Sequence, residues 1–294
     1  QVETRRLSAL TTEKSMLSAV LPYRPPYPWE SVLRFLAARA LPNIETAENG
    51  VYSRFVCLCG AQGRIFVENV PEQNALSVSA DDSLAAVLPD VLSRLRVMFD
   101  LDCNPAAVFE QLNFLNEIKD GACVIGTRSV GCFDVFETAV RTVLGQQITV
   151  KAAQTLAARF ITALGEKTGE GIVFPSPAKI AALPEQTLTA LGIMPTRAKA
   201  ISAIAEGLSK RTLDLSPVAD AEIETPKLLA LPGIGPWTAN YLTIRTMRAP
   251  DVFLDSDYGV RKALSPLTSK DIKAVKDKCR PFGSYAVFNL WNSL

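Results

Sequence analysis

The chain of 294 residues contains no histidine. That gap removes serine–histidine and cysteine–histidine catalysis, histidine acid–base chemistry and mixed His/Cys zinc sites from consideration. An excess of one charge is missing too. The 31 Lys and Arg nearly balance 30 Asp and Glu, and a formal net charge of +1 excludes the strongly basic type of nucleic-acid binder while allowing a local basic face. No run of about eighteen apolar residues occurs, so no membrane-spanning helix is expected, and the first residues lack the charged-then-apolar layout of a secretory signal. The six cysteines (Cys57, Cys59, Cys103, Cys123, Cys132 and Cys279) are scattered. Only Cys57 and Cys59 are spaced to share a strand face, and the set reads as reduced packing residues of a cytoplasmic protein.

The segments that are present divide the chain. Residues 1–20, starting at Gln1 and polar, read as a linker or the edge of a larger protein. Residues 21–88 read as a small mixed α/β domain: a helix at 31–40 with Val32, Phe35, Leu36 and Arg39 in phase, then alternating strands at 51–59, 64–69 and 75–80 forming an antiparallel meander. Beyond them the period is helical. Residues 89–112 together with 231–294 form one expected helical domain, and 113–230 a central one. Asn104-Pro105 and Thr149 are good helix starts, Gly165 is a good stop, and 165–177 is the expected loop. The fold class is α+β, mostly α.

The most informative stretch is Leu231-Pro-Gly-Ile-Gly-Pro-Trp-Thr-Ala-Asn-Tyr241, followed by Asp251-Val-Phe-Leu-Asp-Ser-Asp-Tyr258. Gly233 and Gly235 allow a sharp turn that exposes backbone N–H groups, and Pro236 suits the first turn of a helix, so the stretch can hold an anion such as a phosphate. It fails as a dinucleotide-binding motif, because no third glycine follows and no strand precedes. Asp255 and Asp257 fit helix caps; they equally fit a carboxylate held in a semi-apolar pocket, and one residue can do both. Trp237 and Tyr241 share a helical face and suit either core packing or the stacking of a flat ring. Gln146 and Gln147, adjacent amides between two helices, are structural or within reach of bases. Lys270, Lys273, Lys276, Lys278 and Arg280 form a solvated basic face whose sign also suits a phosphate backbone.

In order and spacing these blocks resemble the helix-hairpin-helix (HhH-GPD) DNA glycosylases, most closely the AlkA-type bacterial 3-methyladenine branch. Further matching blocks are Arg24-Pro-Pro-Tyr-Pro-Trp29, Phe35-Leu-Ala-Ala-Arg39, Gly131-Cys-Phe-Asp-Val-Phe136, Leu144-Gly-Gln146 and Ser284-Tyr-Ala286. The resemblance implies a small antiparallel-sheet N-terminal domain and a two-part helical body, with the hairpin at the end of the central helical domain. It implies Asp257 as the essential aspartate, with Asp255 second. Trp237, Tyr241 and Trp291 become walls of a base pocket, with Phe35, Arg39 and Tyr258 near it. Gly233, Ile234, Gly235 and Thr238 become backbone-phosphate contacts, and Gln147 with Gln146 the residues entering the helix. Gln147 departs from the apolar wedge of close relatives.

The activity so implied is excision of alkylated purines of the 3-methyladenine and 7-methylguanine type, by base flipping and aspartate-assisted hydrolysis, in base excision repair. Trp237 stands where bifunctional relatives carry a lysine, so a monofunctional enzyme is expected. No cofactor and no iron–sulfur cluster are expected, apart from a monovalent cation at the hairpin. The implied partner is double-stranded DNA containing alkylated bases, acted on by a monomer in the bacterial cytoplasm. Alternatives are a glycosylase for other lesions, such as deaminated bases, and a non-catalytic DNA-binding module.

Overall fold

A computed structural model describes residues 15–169 and 171–294. The first strand, β1 (Met16–Pro22), corrects the linker expected at 1–20. It pairs along its whole length with β5, from Met16 opposite Asp81 to Pro22 opposite Ala75. Leu17, Ala19 and Leu21 turn toward the core while Met16, Ser18, Val20 and Pro22 face outward, which is the alternation of an edge strand. The rest of that segment, 1–14, lies outside the described residues. Helix α1 (Trp29–Ala37) follows, then β2 (Glu45–Glu48), β3 (Val51–Leu58), β4 (Ala61–Val70) and β5 (Ala75–Asp81). The sheet is antiparallel throughout in the order β1-β5-β4-β3-β2, so the three expected strands are its centre and the two missed ones its edges.

Helices α2 (Leu88–Met98), α3 (Pro105–Leu112) and α4 (Leu115–Ile118) lead into α5 (Val135–Leu144) and α6 (Val150–Leu164). The expected caps are present: Asn104 accepts the Ala107 N–H and Thr149 the Ala152 N–H, and α6 ends at Gly165. The loop expected at 165–177 holds a short ribbon of β6 (Glu166–Lys167) and β7 (Ile172–Val173). Next come α7 (Pro177–Ala181), α8 (Glu185–Thr189), α9 (Pro195–Ser209), α10 (Ala221–Leu229) and α11 (Pro236–Arg245). The chain closes with α12 (Tyr258–Ala263), α13 (Ser269–Cys279) and α14 (Gly283–Asn292).

Two hydrophobic cores result. The first joins the sheet (Tyr52, Ile65, Val67, Leu76) and α1 to α2 and the C-terminal helices through Val260, Val287, Phe288 and Leu290. Burying each large apolar side chain contributes about 1.5–3 kcal/mol, so the sheet and the C-terminal helices share one core. The second core is built from α5, α6 and α9, with Phe136, Val140, Phe160 and Ile201 at its centre. Leu115, Cys123 and Phe133 belong to the first core, and the second draws on Leu41 and Ile44 as well as on residues from Phe136 onward. Helix α11 is the seam. Its Tyr241 and Ile244 pack into the first core and its Ala239 and Leu242 into the second, so whatever α11 carries at its N-terminus faces the cleft between the two.

Candidate active site

The hairpin between α10 and α11 opens that cleft. Gly233 has φ of +76°, and a Cβ there would lie 2.7 Å from the Thr196 carbonyl oxygen and 3.2 Å from Ala200 Cβ, so both conformation and contact with α9 demand glycine. Ile234 is buried in the second core and anchors the turn. Gly235 differs. It caps α11 at φ −92°, and a Cβ would meet nothing within 4 Å, so packing imposes no glycine there. What its lack of a side chain does is leave the first-turn N–H groups of α11 open to an approaching anion, at the positive end of the helix dipole.

The glutamine loop lies against this hairpin and corrects one expectation. The Gln146 amide donates to the Gly233 carbonyl and to Thr238 Oγ1, both at 3.0 Å, and Arg197 donates to the Gln146 carbonyl. Gln146 therefore ties loop to hairpin instead of pointing outward. The Thr238 side chain is likewise committed, 3% exposed, so only its backbone N–H remains for a ligand. Gln147 is exposed, with φ of +55°, at the tip of the loop.

Behind the hairpin, Asp257 is the N-cap of α12. Its Oδ1 accepts the Val260 N–H at 2.9 Å and Trp291 Nε1–H at 2.8 Å, and its Oδ2 accepts Trp237 Nε1–H at 2.9 Å. The two readings of this residue thus coincide: the cap fixes the carboxylate at one end, and two indoles from α11 and α14 hold it at the edge of a cavity of about 1290 Å³. Asp255 is elsewhere, paired with Lys276 at 3.1 Å. The basic face of α13 is partly spoken for in the same way, with Lys278 over the Phe114 ring and Arg280 on Asp251.

Aromatic rings wall the cavity. Trp237 and Tyr241 stack at 5.1 Å and 20°, Trp291 lies 6.1 Å from Tyr241, and Phe35 stacks on Trp291 at 6.4 Å and 18°. Tyr258 does not close a wall; it is 79% exposed at the rim. Arg39 lies over the Phe35 ring at 3.9 Å. Burial would push the Tyr241 phenol up, but the Arg245 and Arg39 charges and their hydrogen bonds bring it below its ordinary value.

The chain matches known proteins along most of its length. Residues 18–134 match the AlkA N-terminal domain and residues 140–279 the HhH-GPD superfamily base excision DNA repair protein model. The chain is 36% identical to DNA-3-methyladenine glycosylase 2 of Escherichia coli over 276 residues, 92% of this chain and 95% of that protein. The chain belongs to the HhH-GPD superfamily of base excision DNA repair proteins. It is also 31% identical to a probable bifunctional transcriptional activator/DNA repair enzyme AlkA of Mycobacterium tuberculosis, covering 98% of this chain but 59% of that longer protein. In fold it resembles the 3-methyladenine DNA-glycosylase of Archaeoglobus fulgidus, with a TM-score of 0.75 at 21% identity over 93% of this chain and 97% of that one.

Within this HhH-GPD site two residues escaped sequence reasoning. Gly259 is needed because a Cβ would lie 2.9 Å from Trp291 Cδ1 and 3.1 Å from Asp257 Oδ1, so a side chain would part the indole from the carboxylate. Its φ is not in the left-handed region, and no turn signal marks it. Arg245 is buried beneath Tyr241, donating to its oxygen at 2.7 Å and to the Gly131 carbonyl at 2.8 Å. Arg245 closes α11 one turn past Tyr241, a spacing that could have flagged it.

Proposed function

We propose that this protein is a monofunctional DNA glycosylase that removes alkylated purines of the 3-methyladenine and 7-methylguanine type. One observation carries the reading: a carboxylate clamped by two indoles at the edge of an aromatic cavity, directly behind a helix N-terminus open to a phosphate. A duplex hides the glycosidic bond, so the nucleotide must be flipped out, at a cost of a few kcal/mol that falls for a damaged base. The Gly233–Gly235 turn holds the backbone, reading no sequence. Gln147, exposed at the loop tip, fills the vacated stack.

In the cavity the base lies against Trp237, Tyr241 and Trp291, whose electron-rich faces favour a cationic ring by roughly 0.5–2 kcal/mol per contact. Such a base is already a good leaving group. As the bond to C1′ breaks, positive charge develops on the sugar, and the fixed Asp257 carboxylate stabilises it and orients water toward C1′. Trp237 has no amine to attack the sugar, so the product is an abasic site on an intact strand. The implied monovalent cation at the hairpin is part of this proposal. The Leu231 carbonyl accepts the Ile234 N–H and the Gly233 carbonyl the Gln146 amide, each keeping a second lone pair for an ion.

Incubation with methylated duplex DNA tests the reading. Free 3-methyladenine and 7-methylguanine are expected, with no strand cleavage and no adduct under borohydride. Release of neither base contradicts the activity, and a borohydride-trapped covalent complex contradicts its monofunctional form.

A further inference from the structure

Of the arginines that line the cavity, Arg39 and Arg245 lie against the Phe35 ring, and among the described residues neither meets a carboxylate. Arg245, 7% exposed, spends its terminal nitrogens on Tyr241 Oη and the Gly131 carbonyl, and its Nε is buried without a partner. Arg39 donates to the Phe35 carbonyl at 3.1 Å, and both guanidinium carbons lie over the Phe35 ring, Arg245 at 4.8 Å. Arg54 and Arg141, on the same cavity, differ, since each meets Glu45 and Glu137, whereas among the described residues Arg128 and Arg197 are buried on backbone carbonyls rather than on a carboxylate. Burial without a counter-charge is costly but not confined to the cavity; what sets Arg245 apart is that its guanidinium meets the hydroxyl of a ring that walls the cavity.

The aromatic faces and this positive floor favour different bases. A purine that already carries positive charge gains from the rings and is repelled by the guanidiniums. An uncharged purine gains little from cation–π contact, but when its bond to C1′ breaks the electron pair departs on the base, which becomes an anion until water protonates it. Tyr241 Oη accepts from Arg245, and its own hydrogen has no acceptor among the described residues. A hydroxyl that accepts from a cation donates more strongly.

We propose that the Tyr241 hydroxyl, polarised by Arg245, donates a hydrogen bond to a ring nitrogen or carbonyl oxygen of the flipped base and stabilises uncharged purines as they leave. Tyr241 keeps its proton; the base takes one from water after departure, and C1′ takes the hydroxyl of the attacking water. Arg245 is the positioning residue, acting through Tyr241. The pair widens the lesion range beyond cationic bases. The inference rests on the glycosylase reading.

Single-turnover excision by the parent, Tyr241→Phe and Arg245→Met tests it. Each uses two duplexes, one carrying 7-methylguanine (cationic) and one hypoxanthine (an uncharged deaminated purine). Both rates are read on one preparation, so their ratio does not depend on how much of a variant folds. Each variant is expected to lower the hypoxanthine rate about tenfold relative to the 7-methylguanine rate, and Arg245→Lys to restore part of the difference. Equal loss on both lesions assigns the pair a structural role and overturns the proposal, as does an unchanged ratio. A parent that releases 7-methylguanine but no hypoxanthine also overturns it while leaving the proposed function standing. Release of neither base fails the function itself.

Discussion

Arg54 and Arg141, between the sheet and α5, and Arg39 and Arg245, beneath the aromatic cavity, are neighbouring arginine pairs with opposite treatment. In the first region the carboxylates of Glu45 and Glu137 face both guanidiniums, at 2.7 to 3.4 Å where the contacts are of ordinary length, and Tyr52 also donates to Glu45. In the second no carboxylate is present among the described residues, and phenol, ring faces and backbone carbonyls take their place. The regions touch, since Arg141 also donates to the Arg39 carbonyl. The difference separates two uses of one side chain. The neutralised pair joins the N-terminal sheet to the central helices; the unneutralised pair at the cavity leaves a field for a ligand.

The largest effect expected is on stability, in the paired region. Glu137→Gln leaves Arg54 and Arg141 buried with one carboxylate between them, and it should lower the unfolding free energy in urea by about 3 kcal/mol. Arg245→Met removes a charge that no carboxylate among the described residues meets and should cost less than half as much in the same assay. If the two cost the same, the distinction between the regions fails.

A smaller effect is expected where the cavity meets the carboxylate. Gly259→Ala forces Trp291 away from Asp257 and should slow excision about tenfold while the unfolding midpoint moves little. Unaltered excision would mean that the second indole does not position the aspartate. Smallest is the change at the hairpin. Gln146→Ala removes two hydrogen bonds to the turn and should weaken binding to lesion DNA about fivefold, with the rate at saturation retained. A slower rate at saturation with undiminished affinity would place Gln146 in the chemistry instead.

Local signals made much of this molecule legible in the sequence. Thr149 and Gly165 mark the ends of α6, Asn104 caps α3, and the glycine hairpin opens α11 with Pro236 at its first turn. The edge strands were not legible. β1 is short, faces solvent on alternate residues and follows a polar stretch, and β2 is four residues, Glu-Thr-Ala-Glu, whose Glu45 is buried only because Arg54 and Arg141 meet it. In the site, Asp257, Trp237 and Trp291 were named and both indoles meet the carboxylate, whereas Gln146 was given an outward role that the hairpin takes from it. Gly259 and Arg245 stayed hidden because each depends on a residue distant in the chain: an indole 32 positions on, and a carbonyl 114 positions back. Spacing along one helix can suggest a face, but not what is folded against it.

The account turns on Asp257 acting at the sugar rather than in holding DNA. Single-turnover excision of 7-methylguanine and affinity for the same duplex, measured together for the parent and Asp257→Asn, separate the two roles. The account predicts excision at least about 100-fold slower with affinity nearly unchanged. An Asp257→Asn protein that excises as fast as the parent would contradict it.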